Sequence, residues 1–134
     1  MYVYTTAVRL HDTDAAGLLF FGHQFKIVHD CYETFMAEHA VSFLEILRNR
    51  DYLLPIVHAE SDYLAALDVG DSLAVKLTCS RLGDTSFTLS YEIWRGEQLV
   101  GKASTVHVCT DATTNKKRSL PEELRTALQP HVQS

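Results

Sequence analysis

The residues best suited to chemistry crowd into one stretch, HDTDAAGLLFFGHQF at positions 11–25. Asp12 and Asp14 stand one residue apart, small residues follow, and Leu18, Leu19, Phe20 and Phe21 then run together. Paired carboxylates at the lip of an apolar segment admit four readings: a calcium loop, a transition-metal site, turn and cap hydrogen bonding, or a carboxylate held against a buried reactant. Spacing disposes of calcium, because the fifth loop position is Ala16 and the twelfth is His23, where a bidentate glutamate is required. His11, Asp12, Asp14 and His23 are metal-ligand types, but their spacing matches no pattern with a mechanism, such as His-Glu-x-x-His, and no metal is expected. Turn bonding suits Asp12, since short polar side chains readily accept backbone amides. Asp14 stays open between that role and a reactive one.

The text after Asp14 favours the reactive role. Ala15-Ala16-Gly17 lets the backbone turn tightly and approach another group closely at Gly17. Leu18 to Phe21 wall off water, and a helix begins near Gly22, where unpaired amides carry partial positive charge. A carboxylate beside apolar walls and pointed amides is an arrangement for attack on a carbonyl. Other nucleophiles are poorly supported. The chain has no Gly-x-Ser-x-Gly elbow. Cys31, Cys79 and Cys109 sit among apolar neighbours and read as inert buried thiols. They are odd in number and lack metal spacing, as expected of a reduced, cytoplasmic protein.

Alternation over residues 2–10 predicts a strand. From Gly22 the period changes: Phe25, Val28, Tyr32, Phe35, Met36 and His39 recur at helical steps, which predicts a helix of about 18 residues. AVSFLEILRNR continues as a shorter helix. After Pro55 four strands are predicted, at 56–65, 72–81, 85–95 and 99–110, separated by VGD, LGD and RGEQ turns. Pro121 followed by EELRTALQ reads as a short closing helix. One domain spanning residues 1–134 is expected, of α+β class with an antiparallel sheet, the helix packed across one face. Covering the other face falls to a second copy of the chain.

The 134 residues are 46% hydrophobic and 22% charged, which leaves no case for disorder. A formal net charge of −5 argues against general nucleic-acid binding. No apolar run approaches the roughly 20 residues of a membrane span, and MYVYTTAVRL alternates where a signal peptide would be continuously apolar.

DTDAAGLLFFGHQF, with the strand–helix–four-strand order, resembles the active-site segment and topology of hotdog-fold acyl-CoA thioesterases of the 4-hydroxybenzoyl-CoA type, whose motif is Asp-x-Asp-x-x-Gly. The resemblance implies a hotdog fold, an antiparallel sheet wrapped around a long central helix. LPIVHAESDYLAALDVGDSL, TVHVCT, KKRSLP and HDCYETF are most similar to the subgroup of 1,4-dihydroxy-2-naphthoyl-CoA hydrolases of naphthoquinone biosynthesis. Carried over, the catalytic aspartate falls on Asp14 and the carbonyl-polarising amide on Phe21 or Gly22. The CoA phosphate contacts fall on Arg81 and on Lys116, Lys117 and Arg118. SRLGDTSF, however, holds one arginine where the 4-hydroxybenzoyl relative has a basic run.

Several candidates keep two readings. Gly17 adjoins the substrate in the resemblance, while His23 and Gln24 either orient the acyl ring or cap the helix. His58 either bonds a hydroxyl of an aromatic acyl group or is an ordinary strand histidine. Lys116-Lys117-Arg118 is either a phosphate clamp or a solvated loop. Phe20, Phe21, Tyr63 and Trp94 either line an aromatic pocket or pack in the core. The implied reaction is hydrolysis of an acyl-CoA, with CoA as part of substrate and product and no separate cofactor. The implied assembly is a homodimer or homotetramer with its pocket between subunits. A non-catalytic acyl-CoA or acyl-carrier binding module is the alternative from another class.

Overall fold

Five strands form one antiparallel sheet in a computed structural model that describes residues 1–133. They are β1 (Tyr2–Ala7), β3 (Ile56–Tyr63), β4 (Ser72–Leu82), β5 (Ser86–Arg95) and β6 (Gln98–Val108), in the spatial order β1-β4-β5-β6-β3. β2 (Tyr52–Leu53) and β7 (Thr110–Asp111) pair separately in a small ribbon that the sequence pattern does not predict. The helices are α1 (His23–His39), α2 (Phe43–Asn49) and α3 (Glu122–Leu128). The first strand stops at Ala7, three residues short of the alternating pattern, because Leu10–Asp12 close into a 3-10 turn.

The inner sheet face is built by strict alternation. Leu73, Val75, Leu77 and Cys79 of β4 and Phe87, Leu89, Tyr91 and Ile93 of β5 are all buried. α1 turns Gln24, Ile27, Val28, Cys31, Tyr32, Phe35 and Met36 inward, which is the 3.6-residue stripe of a core-facing helix. Gly101 on β6 lets the start of α1 come close: a Cβ there would lie 2.9 Å from Gln24 Oε1. Gln24 in turn donates from Nε2 to Ser61 Oγ (2.6 Å) and to the Asp62 carbonyl (3.0 Å), pinning the helix to β3.

One imidazole lies within this core. His107 is stacked on Phe87 at 4.6 Å between ring centroids, and its Nε2 shares a 2.7 Å hydrogen bond with Thr105 Oγ1. Thr105 is bonded also to Tyr91 Oη at 3.0 Å. Burial pushes His107 down to about 3, with His29 adding a smaller repulsion, so the ring is neutral. The cysteines are buried, free thiols, and burial pushes the Cys31 thiol up to about 12.

The outer sheet face corrects one expectation. It carries Lys76, Thr78, Ser90, Glu92, Lys102 and Ser104, a polar surface that needs no covering protein. Trp94 belongs to this face, with Lys76 Nζ 4.7 Å from its ring centroid, and is therefore not part of an aromatic pocket around Asp14. β1 and β3 are the two edges of the sheet; in β3 seven of eight residues are exposed and one side of the backbone is unpaired among the described residues.

Candidate active site

The Asp14 loop is a turn closed by its own backbone. Asp14 N–H donates to the Leu18 carbonyl (2.8 Å), and Gly17 N–H returns to the Asp14 carbonyl (3.0 Å). Gly17 holds φ +78°, a left-handed conformation that glycine adopts without a Cβ clash. Nothing lies within 4 Å of where its Cβ would stand, so backbone conformation is what requires a glycine here. Asp14 Oδ1 accepts the amides of Ala16 (2.8 Å) and Leu18 (3.3 Å). That fixes the carboxylate and leaves Oδ2 without a protein donor among the described residues.

Asp12 has a different fate. It is 1% exposed, accepts the Arg9 amide at 3.0 Å on Oδ2 and receives Lys26 Nζ at 3.3 Å on Oδ1. Burial raises its carboxyl, but the Arg9 amide and the Lys26 ammonium outweigh that and hold it below the usual aspartate value. Its carbonyl takes the Phe20 amide (2.9 Å) and pairs with His23 Nδ1 (3.0 Å). Asp12 thus fastens the 3-10 turn to α1, a larger role than shaping a turn.

Asp14 lines a cleft of about 360 Å³ with Leu18, Leu19, Phe21, Gln24, Tyr63 and the 64–67 segment. Phe21 stands at its rim, and Tyr63 Oη donates 2.6 Å to the Phe21 carbonyl. Just behind, α1 begins with Gly22 as N-cap and no side-chain cap. His23 N–H bonds the Phe20 carbonyl and Gln24 N–H the Phe21 carbonyl, whereas the amides of Phe21 and Gly22 have no protein acceptor among the described residues. The site therefore combines a tethered carboxylate, apolar walls and two unpaired amides at the positive end of a 17-residue helix. Three larger hollows, about 450 Å³ on the polar sheet face, about 560 Å³ beside α2 and about 460 Å³ between Thr5 and Gly96, contain neither Asp14 nor the start of α1.

Of the residues singled out in the sequence, the cleft gathers Asp14, Phe21 and Gln24, with Gly17 in its loop and Gly22 beside it. His23 faces Asp12 and Phe20 instead. His58 is exposed, 3.7 Å from Glu60, and sits five residues up β3 from Tyr63, about 16 Å away at strand rise. The cations lie farther off. Arg81 pairs with Thr88 near the β4–β5 turn, and Lys117 bridges to Thr110 of β7, just past the end of β6, whereas the Asp14 cleft is at the Gly101 end. Along the sheet, Val106, level with Arg81 through Thr88, lies five residues or about 16 Å from Gly101, and Thr110 follows four residues later. Arg118 is partly occupied, donating to the Asp51 carbonyl at 2.9 Å and lying 3.8 Å from Asp111. Tyr63, one of the aromatic candidates, does line the cleft, but its bond to Phe21 and the close approach at Gly101 carry no signature in the sequence, since their partners are long-range.

Comparison with known proteins identifies the family. The thioesterase-like superfamily matches residues 8–128, and the chain belongs to that family. A 1,4-dihydroxy-2-naphthoyl-CoA hydrolase of Nostoc punctiforme is 37% identical over 123 residues, covering 92% of this chain and 83% of the relative. The protein of that name from Synechococcus elongatus is 35% identical over 129 residues, covering 96% and 95%. The crystal structure of a 1,4-dihydroxy-2-naphthoyl-CoA thioesterase from Synechocystis superimposes with a TM-score of 0.91 at 35% identity, covering 96% of this chain and 95% of the other. Among the described residues no three His, Cys, Asp or Glu side chains converge as a metal site, and no helix is long and apolar enough to cross a membrane.

Proposed function

We propose that this chain hydrolyses an aromatic acyl-CoA thioester, 1,4-dihydroxy-2-naphthoyl-CoA, to 1,4-dihydroxy-2-naphthoate and CoA, a step of menaquinone or phylloquinone synthesis in the cytoplasm. The observation that carries the reading is Asp14 lining an apolar cleft beside unpaired helix N-terminal amides, in a family whose similar members bear that name. The thioester carbonyl accepts from the Phe21 or Gly22 amide, which stabilises the oxygen as the carbon becomes tetrahedral. One such donor is typically worth about 2.7–4 kcal/mol of barrier. Asp14, through the oxygen that has no protein partner, either attacks the carbon and expels the thiolate, forming a mixed anhydride that water then hydrolyses, or takes a proton from water that attacks the carbon directly. The thiolate leaves without a general acid, and no cofactor beyond the CoA of the substrate is required.

The site is completed, in this reading, by a second copy in a homodimer or homotetramer. Unpaired β3 edges invite antiparallel pairing between copies. Such pairing lays the His58 end of one β3 against the Tyr63 end of the other, bringing the partner's His58 toward the acyl group. The same pairing offers Arg81, Lys116, Lys117 and Arg118 to the CoA of the neighbouring cleft, which their distance from Asp14 in one protomer supports.

Thiol release from naphthoyl-, hydroxybenzoyl- and aliphatic CoA esters tests the proposal, with Asp14→Asn run beside wild type. Asparagine keeps the Oδ1 acceptor for Ala16 and Leu18, so the loop stays folded while turnover falls at least about 100-fold. Wild-type inactivity on every ester refutes the enzyme and leaves the binding module. Preference for an aliphatic chain refutes the naphthoyl assignment.

A further inference from the structure

We infer that Tyr63 is a positioning residue for the oxyanion donor: its hydroxyl holds and polarises the Phe21–Gly22 peptide, aiming the Gly22 N–H at the thioester oxygen. This rests on the thioesterase reading above and adds to it a residue that has no place in the sequence motif. Tyr63 ends β3 and crosses 42 residues of sequence to donate 2.6 Å to the Phe21 carbonyl, a short bond for a neutral pair. Phe21 C=O and Gly22 N–H belong to one peptide plane. That peptide is trans, so a group pulling on its carbonyl faces directly away from its N–H.

Two consequences follow from the shared plane. First, an accepted hydrogen bond draws electron density toward the carbonyl oxygen and makes the N–H at the other end a stronger donor. Second, the plane is fixed at a point where α1 supplies little restraint of its own. Gln24 N–H reaches the Phe21 carbonyl at only 3.4 Å, and no side chain caps the helix. A larger residue would not fit in place of Gly22 unless Phe20 gave way, since a Cβ there would meet the Phe20 ring at 3.1 Å. The Gly22 amide itself has no protein acceptor among the described residues. A donor so fixed, beside a carboxylate in one cleft with Tyr63, is preorganised for charge that develops only during reaction.

Tyr63→Phe keeps the ring and removes the hydroxyl, and should lower kcat about ten-fold with KM nearly unchanged, the worth of one hydrogen bond felt in the transition state. The Gly22 amide proton and nitrogen resonances should shift upfield in the same variant, while those of Ile27 and Val28 stay in place. Tyr63→Leu, which also loses the ring, should show the same Gly22 shift. An active wild type whose Gly22 resonance does not respond to Tyr63→Phe overturns this inference alone. So does a Tyr63→Phe variant with unchanged kcat. Wild-type inactivity on every thioester overturns the proposed function with it.

Discussion

His107 is the residue whose perturbation the structure quantifies best. Its ring is fully buried, and burial moves its titration from the ordinary 6.5 to about 3. A histidine with a depressed native pKa binds fewer protons folded than unfolded throughout that window. Stability is therefore complete above pH 6.5 and declines as pH falls toward 3. Each unit corresponds to about 1.4 kcal/mol, so by pH 4.5, two units below 6.5, the protein should have lost roughly 3 kcal/mol through this one ring. That is a large share of the roughly 5–15 kcal/mol that keeps a domain folded. His107→Phe isolates the effect. Phenylalanine retains the stack on Phe87 and forfeits the Nε2 bond to Thr105, a loss that is the same at every pH, while Thr105 keeps its bond to Tyr91 and Nδ1 has no partner to lose. Urea unfolding at pH 7.5, 6.5, 5.5 and 4.5, with the m-value checked for constancy, reads the slope directly. Wild type should lose stability from 6.5 to 4.5, and His107→Phe should stay nearly flat. Parallel slopes for the two proteins would refute the reasoning.

Three further outcomes follow from the same packing. Gly101→Ala drives a methyl into the Gln24 carboxamide and should destabilise by about 1–3 kcal/mol, measurable by urea melts, with impaired turnover because the start of α1 moves. Asp12→Ala strips the Arg9 amide and Lys26 of their acceptor. It should lose about 1–3 kcal/mol at neutral pH, a difference that narrows as acid carries wild-type Asp12 through its lowered pKa, below 3.8. Lys116→Glu with Lys117→Glu should raise KM for a full CoA ester several-fold at low salt. It should leave a pantetheine thioester lacking the nucleotide unaffected, and an equal effect on both esters would remove these cations from CoA recognition.

Much of the architecture was legible because it is periodic. The change from alternation to helical steps at Gly22 marks the start of α1 within a residue. The LGD and RGEQ turns delimit β5, and Pro121 opens α3. The sheet faces were half legible. Alternation sorts β4 and β5 into two faces, but it took the paired strands to show that Trp94 and Lys76 share the outer one. The brief ribbon of β2 and β7 gave no signal, since two residues carry no period.

For the site, the sequence by itself determined the local chemistry: an aspartate in a glycine turn, an apolar wall, and a helix start with unclaimed amides. These depend on neighbours within about ten positions, which is the range that spacing and turn propensity encode. Only the tertiary structure decided the rest. Asp12 is buried against Lys26, Gln24 is locked between Gly101 and Ser61, and Tyr63 reaches back to Phe21. His58 and the basic residues stand at the far end of the sheet from Asp14. Each of these is a contact or separation set by strand register, and register arises from how the whole hydrophobic pattern packs, not from any one segment.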